Sequence, residues 1–325
     1  FHDLLRLFAR ECLQEEEPET EHRDAKQRIV VWYLLYAQKQ ATRLQPSSRQ
    51  EEAAEQAAQS GHFAQHEEQM LLLKALAWFE REQDNLTAAV QLAYEIGDCD
   101  ATWRLAHCLT FHFESRGLVD EWEKTCRQAL QAARSARVST GEAVCLNDLG
   151  NALRLQGRWD EAVSAYEDSL RIKETSGDKW GASTTRMNLG TTYLAQGRLD
   201  VALLVSEETL LTMRELGDRH GEGITLNTLG IIYHQMGQLE RAAAAYQASL
   251  QIKRELGNPD GFGATLANLS DIYVQLGNWL EAIRCLEQNL AIRFDLRNHH
   301  GAGQTLLKLS HCLLYTSDAA DDLTR

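Results

Sequence analysis

The 325-residue sequence has only three prolines and no long hydrophobic run. Because proline interrupts the interior of a helix, its scarcity favours a protein that is almost entirely helical. The longest apolar window, residues 29–37, is far shorter than the ~20 apolar residues that a membrane-spanning helix needs. The sequence therefore predicts an all-α protein without a membrane partner.

Basic clusters and paired cysteines are also missing. The net charge is −14 and no run of lysine and arginine is longer than a pair, so we expect no direct contact with the phosphate backbone of a nucleic acid. The seven cysteines are odd in number and include no CxxC pair, which is typical of a reducing compartment. These features predict a cytoplasmic protein.

The strongest positive signal is an internal repeat with a period of 40 residues. One pattern occurs in residues 146–170, 186–210, 226–250 and 266–290. A glycine recurs at one place in the first three copies, as Gly150, Gly190 and Gly230, and Ser270 holds that place in the fourth. Self-similarity at a fixed period predicts a solenoid of stacked units.

Each repeat shows the pattern of two amphipathic helices joined by a turn. A second glycine recurs at 157, 197, 237 and 277, where a left-handed residue would end the first helix. The glycine inside the first helix costs ~1 kcal/mol relative to alanine. We therefore predict that the second helix approaches closely there, opposite Ala162, Ala202 and Ala242.

This pattern resembles the tetratricopeptide repeat, in the long-helix variant of kinesin light chain. It has leucine–glycine, an aromatic residue three positions on, a turn glycine, an alanine and a later aromatic such as Tyr166 or Tyr246. The resemblance implies a right-handed α-solenoid of tetratricopeptide-like helical hairpins over residues 101–311.

The segments before the repeats extend the resemblance. They are the opening FHDLLRLFARE, a Trp/Tyr-rich predicted helix at residues 22–44, a polar linker, and ALAWFEREQDNLTAAV. Together with the array they resemble one kind of bacterial NB-ARC regulator, a STAND signal-transduction ATPase. The resemblance implies a winged-helix remnant at 1–20, a long helix and polar linker at 21–62, and a degenerate helical hairpin at 63–100.

In that family a Met-His-Asp motif ends the winged-helix domain, and its histidine contacts the β-phosphate of ADP. The resemblance gives this role to His2, with Phe1 standing where methionine is usual. The sequence contains no GxxxxGK[ST] loop, so ADP or ATP with magnesium is expected only in the parent protein. The alternative is that His2 merely caps a helix.

Residues 312–325, CLLYTSDAADDLTR, leave the repeat register after His311. They resemble a translated sequencing adapter, and we predict that they are adapter-derived or, alternatively, a poorly ordered natural tail. Together with the missing initiator methionine, this segment indicates a fragment of a longer gene product.

No catalytic or metal site is predicted. His62 and His66 have the spacing of two metal ligands on a helix, but the glutamate of a zinc protease and a third ligand are missing. A second group, Cys99, His107, Cys108 and His112, points in different directions on a helix and indicates core packing. The chain is therefore predicted not to be an enzyme.

The predicted binding surface is the inner face of the repeats. Asparagine is frequent there despite its low helix propensity, and an amide can both donate and accept hydrogen bonds with an extended peptide. The predicted groove residues are Asn147, Asp148, Asn151, Arg154, Asn188, Thr191, Asn227, Thr228, His234, Gln235, Asn268, Asp271 and Gln275. The alternative is that their polarity is inherited with the repeat and only solvated.

The resemblance implies a protein-recognition and sensor module of a signal-transduction ATPase that regulates transcription. Its partners would be a protein or peptide in the groove and, within the same molecule, an upstream ATPase module. The alternative is a free-standing tetratricopeptide adaptor or peptide-receptor scaffold.

Overall fold

The computed structural model describes residues 19–44, 63–257, 259–295 and 298–322. Across these ranges fourteen helices follow one another and no strand occurs, which confirms the all-α fold class. The chain divides into two compact units, one ending at Gly177 and one beginning at Asp178. They are called unit 1 and unit 2 below.

Unit 1 contains α1 Glu19–Leu44, α2 Phe63–Glu95, α3 Cys99–Cys108, α4 Thr110–Arg116, α5 Val119–Ser135, α6 Ser139–Leu155 and α7 Trp159–Ser176. Unit 2 contains α8 Lys179–Ala195, α9 Leu199–Leu216, α10 Arg219–Gln235, α11 Leu239–Glu255, α12 Pro259–Gln275, α13 Trp279–Asp295 and α14 His299–Asp322. The helical hairpins that the repeat predicts are confirmed as the pairs α6–α7, α8–α9, α10–α11 and α12–α13, whose members pack against each other.

The prediction of a helical hairpin over residues 63–100 is wrong. A single 33-residue helix, α2, runs from Phe63 to Glu95. No glycine or proline occurs between residues 63 and 96, so no residue ends the helix before Gly97, which adopts φ +78°. The predicted helix at 22–44 is confirmed as α1, which packs along α2 and also contacts α3.

Glycines end the helices of each hairpin as the sequence predicts. Gly157, after α6, has φ +76°, and Arg158 N–H donates to the Leu153 carbonyl at 2.9 Å. Gly177, after α7, also has φ +76°. A left-handed residue lets the chain turn back and satisfy the last carbonyls of the helix, so short connections join the helices.

In two hairpins, α6–α7 and α10–α11, the glycine inside the first helix makes room for a tyrosine of the second helix. A Cβ added at Gly150 would lie 2.5 Å from Cε1 of Tyr166, and one added at Gly230 would lie 2.5 Å from Cε1 of Tyr246. Both tyrosines are almost fully buried. The predicted close approach is therefore confirmed, but the group that needs the space is the tyrosine ring rather than the alanine at 162 or 242.

Several predictions fall wholly or partly outside the described residues. These are His2 with the winged-helix remnant up to residue 18, and the linker at 45–62. At the other end α14 continues to Asp322, and Cys312 is buried in a cluster with Ala282 and Leu286. The origin of residues 312–325 stays a prediction.

Candidate functional site

In unit 2 the predicted groove residues lie on three first helices, α8, α10 and α12, and some of them bond from one first helix to the next. Asn227 accepts a hydrogen bond from the Thr265 hydroxyl at 2.9 Å, and His234 Nε2 lies 2.8 Å from Gln275 Nε2. Both contacts join α10 to α12. Side-chain contacts therefore already join α10 to α12 along the row.

A third contact of this kind joins α12 to α14. Lys308 donates to both carboxylate oxygens of Asp271, at 2.6 and 2.7 Å. Because both side chains are more than two-fifths exposed, water screens this pair and its contribution to stability is small. It sets the orientation of Asp271 more than it stabilises the fold.

Exposure differs along this row. Asn188, Thr191, Asn227, His234, Asn268 and Asp271 are half-buried, Gln235 and Gln275 are exposed, and Thr228 is buried. The hydroxyls of Thr191 and Thr228 donate to carbonyls of their own helices, at 3.0 and 3.2 Å. The threonine hydroxyls of the row thus bond within their own helices, whereas its amide side chains are half-buried or exposed.

A buried lysine, which the sequence-based predictions did not include, contacts Thr265, the residue that bonds to Asn227 of the row. Lys253 of α11 is 9% exposed, and its Nζ donates to Thr265 Oγ1 at 2.6 Å and to the Gly261 carbonyl at 3.1 Å. Burial lowers the pKa of Lys253 to about 8. Lys253 stands 40 residues after Met213, at the same position of the repeat. A lysine where the preceding hairpin has an apolar residue is the sequence signal that could have identified it.

In unit 1 the four predicted residues share α6. Asp148 is buried, and its Oδ2 lies 2.6 Å from Nδ1 of His107 on α3. The negative charge of Asp148 raises the pKa of His107. The expectation of core packing holds for Cys108 and His112, which are buried, whereas His107 is half-exposed and forms this ion pair.

Two further predicted residues, Asn151 and Arg154, lie on the same helix, α6. Tyr166 donates to Asn151 Oδ1 at 2.7 Å. Arg154 is half-buried, and its Nε is shielded from water without a hydrogen-bond partner. An unsatisfied buried donor is unusual in a folded protein and requires an explanation. The remaining residue, Asn147, is half-buried.

A cleft of about 560 Å³ is lined in part by Asn151 and His107, and it is called the unit-1 cleft below. The end of α1 forms one wall through Gln38, Ala41, Thr42 and Leu44. The rest of the lining comes from Trp103, Arg104, His107, Cys108, Thr110, Phe111, Glu114, Trp122 and Asn151. No sequence pattern predicts the cleft, because α1 is distant in sequence from the other helices that line it.

The aromatic part of the cleft is held firmly. Trp103 Nε1 donates to Asp100 at 3.1 Å, and the Arg104 guanidinium lies over the indole ring at 5.1 Å from its centroid. The same ring packs against bare backbone at Gly141, where an added Cβ would lie 2.8 Å away. Trp122 is 1% exposed. The cleft is therefore preformed rather than assembled from mobile side chains.

Neither a metal site nor a membrane-spanning helix appears in the described ranges. No three histidine, cysteine, aspartate or glutamate side chains there are grouped so that they could hold a metal ion. Within the same ranges, every helix is too short or too polar to cross a bilayer.

The family model of the MalT-like TPR region matches residues 111–299. The chain belongs to this family. All thirteen predicted groove residues lie within the matched range, whereas α1 and α3, which line much of the unit-1 cleft, precede it. The MalT-like TPR match thus covers the four hairpins α6–α7 to α12–α13, and the helices α1 to α3 lie outside it. A search of curated proteins finds no match to the sequence.

Solved structures with the same fold include three that are informative. BtubC (BKLC) from P. vanneervenii is 22% identical, with a TM-score of 0.57 over 68% of this chain and 91% of that one. A STAND protein with a tetratricopeptide repeat sensor from Pyrococcus horikoshii is 18% identical, with a TM-score of 0.60 over 94% of this chain and 45% of that one. Aspartyl phosphate phosphatase F from Bacillus subtilis is 13% identical, with a TM-score of 0.59 over 92% and 82%. These similarities show the fold, a helical solenoid of tetratricopeptide-like hairpins.

Proposed function

We propose that this MalT-like TPR chain is the sensor module of a signal-transduction ATPase and recognises a protein or peptide on the first helices of its repeats. The ligand would favour an open state over a state in which the ATPase is restrained, so that binding shifts the population between them. The family match and the fold shared with the sensor-bearing STAND protein support this proposal.

The observation that carries the proposal is the row of half-buried amides in unit 2. Asn188, Asn227 and Asn268 lie on α8, α10 and α12, at positions that the apolar core stripe does not use. Each amide can donate and accept at once. A row of such groups suits the alternating donors and acceptors of an extended peptide backbone.

The nucleotide of the proposed parent would be bound outside the described residues. The sequence contains no phosphate-binding loop, so ADP or ATP with magnesium would be held by an upstream module. The contact of His2 with a phosphate belongs to that part of the proposal.

A random peptide library selected against the purified chain would provide a defined probe. The tightest peptide is then titrated by calorimetry into the chain and into the triple variant Asn188→Ala, Asn227→Ala, Asn268→Ala. We expect its affinity to fall at least tenfold, because three hydrogen-bonding groups worth roughly 1 kcal/mol each are removed.

The matched control is Glu208→Ala, Gln251→Ala, Gln288→Ala, which changes three exposed side chains on the second helices of the same unit. This variant should bind as the unchanged chain does, and both variants should keep their helical circular dichroism. Equal affinity of the two triple variants for the peptide would overturn the groove assignment.

A second candidate function is a free-standing adaptor without an ATPase. It is favoured by the similarity to BtubC, which covers 91% of that chain. The reading frame upstream of residue 1 distinguishes the two candidates, because a sensor of a STAND ATPase requires a phosphate-binding loop there.

A further inference from the structure

Helix α14 exposes a face that the second helix covers in the hairpin before it. On α12 the backbone at Gly263 packs against α13, since a Cβ added there would lie 3.0 Å from Asn289 Oδ1. Gly303 stands 40 residues later, at the same repeat position of α14, and a Cβ added there would meet no atom within 4 Å. This side of α14 is therefore open in the part of the chain that the structure describes.

Two further positions of the same face are exposed on α14 and buried on α12. Leu306 is 46% exposed, whereas Leu266, its equivalent, is 3% exposed. Ser310 is exposed, whereas Ser270 is fully buried. Leu313, which is 50% exposed, lies seven residues after Leu306 and extends the stripe. Gly303 and these three residues of α14 are called the α14 seam below.

The chain does not fold back over the seam within the described residues. The first helices α6, α8, α10 and α12 are each followed by a glycine in the left-handed conformation, the last of them Gly277. Ser317 stands at that position after α12's successor, and α14 continues past it to Asp322. Because residues other than glycine rarely adopt a positive φ, the turn that would begin a second helix is missing there.

We propose that the α14 seam binds the α14 seam of a second copy of the chain, with the two helices antiparallel about a two-fold axis near residue 308. Small Gly303 and Ser310 are seven residues apart and alternate with large Leu306 and Leu313. A repeat of seven is the spacing of two helices that pack side by side. This inference does not depend on the proposed ATPase.

The seam is complementary to itself in this arrangement. With the axis near residue 308, Leu306 of one copy lies opposite Ser310 of the other. In the same way Leu313 lies opposite Gly303 of the second copy. Each layer of the contact therefore pairs one large side chain with one small residue, which lets the helices approach closely without overfilling the space between them.

The proposed contact continues an interface that the repeats already use. In α10–α11 the small residue Gly230 is covered by the large side chain of Tyr246. Ser310 holds the position of Gly230 on α14, 80 residues later. Leu306 of the second copy would supply the large apolar group that the second helix supplies in the hairpins, and burying it is favourable.

Symmetry and charge are compatible with this pairing. A two-fold contact uses the same surface on both copies, so it closes at two chains. Lys308, the charged residue nearest the axis, donates to Asp271 of α12, so its charge is directed away from the seam. A single pair of helices forms a small interface, and small interfaces give weak association that depends on concentration.

Sedimentation velocity and light scattering of the full chain measure this association directly. We expect the mean mass to rise with concentration from that of one chain to that of two, and no further. Leu306→Glu places a carboxylate in both central layers of the dimer and should weaken association at least ~tenfold. Leu204→Glu, at a 58% exposed leucine of α9, is the matched control and should associate as the unchanged chain does.

A second set of variants tests the pairing of large with small residues. Ser310→Leu should weaken association roughly tenfold, because two leucines would then meet in each central layer. A nonspecific apolar patch would instead associate more strongly after this change. The double variant Leu306→Ser, Ser310→Leu restores one large and one small residue to each layer and should recover most of the affinity. Circular dichroism of every variant checks that the helices are kept.

A synthetic peptide with the sequence of α13, residues 279–295, tests the other possible occupant of the seam. It carries the pattern of a second helix, and we expect it to bind only by displacing the second copy. Binding of this peptide by a chain that stays single at every concentration would assign the seam to a helix of another polypeptide and contradict the proposal.

Three further results would overturn the dimer. The first is a chain that stays single up to its highest soluble concentration. The second is association that Leu306→Glu leaves unchanged or that Ser310→Leu strengthens. The third is a mass that grows beyond two chains. None of these results bears on the amide row, which is tested by its own triple variant, so the two proposals fail independently.

Discussion

Lys253 is a charged side chain buried among neutral groups between α11 and α12. Its Nζ reaches the Thr265 hydroxyl and the Gly261 carbonyl, and burial is the cause that lowers its pKa from 10.5 to about 8. Since the folded pKa is the lower one, the unfolded chain binds more protons between pH 8 and 10.5. Stability is therefore expected to rise with pH across that window.

Replacing Lys253 by methionine should remove this effect. Methionine already occupies the equivalent position of the preceding hairpin, as Met213, which is 1% exposed. We expect Lys253→Met to raise the free energy of unfolding at pH 7 by roughly 1–3 kcal/mol, measured by urea denaturation, and to abolish the rise above pH 8. Lys179→Met, at an exposed position on α8, is the control and should change neither quantity.

The His107–Asp148 pair should titrate in the opposite sense. The Asp148 carboxylate raises the pKa of His107 above its ordinary 6.5, against the opposing effect of burial. The stabilisation by the ion pair is complete below the ordinary pKa and is lost as the pH rises through the folded pKa. In Asp148→Asn the burial effect remains and the attraction is gone, so we expect the pKa of His107 to fall below 6.5.

The pKa of His107 can be followed through its imidazole signals by nuclear magnetic resonance in both proteins. His220, whose pKa is lowered by burial, provides an internal reference and should titrate identically in the two proteins. A His107 pKa that is the same with aspartate and asparagine at 148 would contradict the assignment of the pair.

At the scale of the helix, the contact between glycine and tyrosine defines how two of the hairpins pack. In α10–α11 the Tyr246 ring fills the space above Gly230, and in α6–α7 the Tyr166 ring fills the space above Gly150. The hairpin α8–α9 differs, because Ser206 stands in the place of the tyrosine. A Cβ at Gly190 would lie 2.8 Å from the Ser206 Oγ, and the next contact is the Ala202 carbonyl at 3.9 Å.

These differences predict opposite outcomes for one substitution. Gly230→Ala should destabilise the chain by roughly 1–3 kcal/mol, because overpacking displaces a buried ring. Gly190→Ala should be neutral or stabilising by up to ~1 kcal/mol, since the Ser206 hydroxyl can rotate away and alanine favours the helix. Thermal unfolding of both variants checks this pair, and a similar loss in both would show that the tyrosine is not the cause.

At the scale of the whole chain, the 40-residue repeat predicted the hairpins, their glycine ends and the all-α class. Those features depend on local patterns that recur in every copy, so each copy supports the others. The helix α2 was misjudged because repeat-like apolar spacing suggested a turn, while the missing glycine and proline argued for one continuous helix.

The sites were less predictable because they depend on contacts between distant segments. Asp148 and Asn227 are among the predicted groove residues, but their partners His107 and Thr265 lie on other helices, 41 and 38 residues away. The unit-1 cleft needs α1 next to α3 and α6, a placement that no sequence periodicity encodes. The functional roles of the groove residues and of His2 stay predictions.

The glycine–tyrosine contact has a consequence for the fidelity of folding. It joins two helices that are adjacent in sequence, so each hairpin can form by a short local search, which favours rapid folding. However, α6 carries the same glycine as α10, and α7 the same tyrosine as α11, so crossed pairing of α6 with α11 would allow the same glycine–tyrosine contact. The entropy of closing the longer loop discriminates against that swap. Ser206 distinguishes α8–α9 from these two hairpins. Pairing α9 with α6 or α10 would leave the space above the glycine without a tyrosine ring, so α9 cannot take the place of α7 or α11.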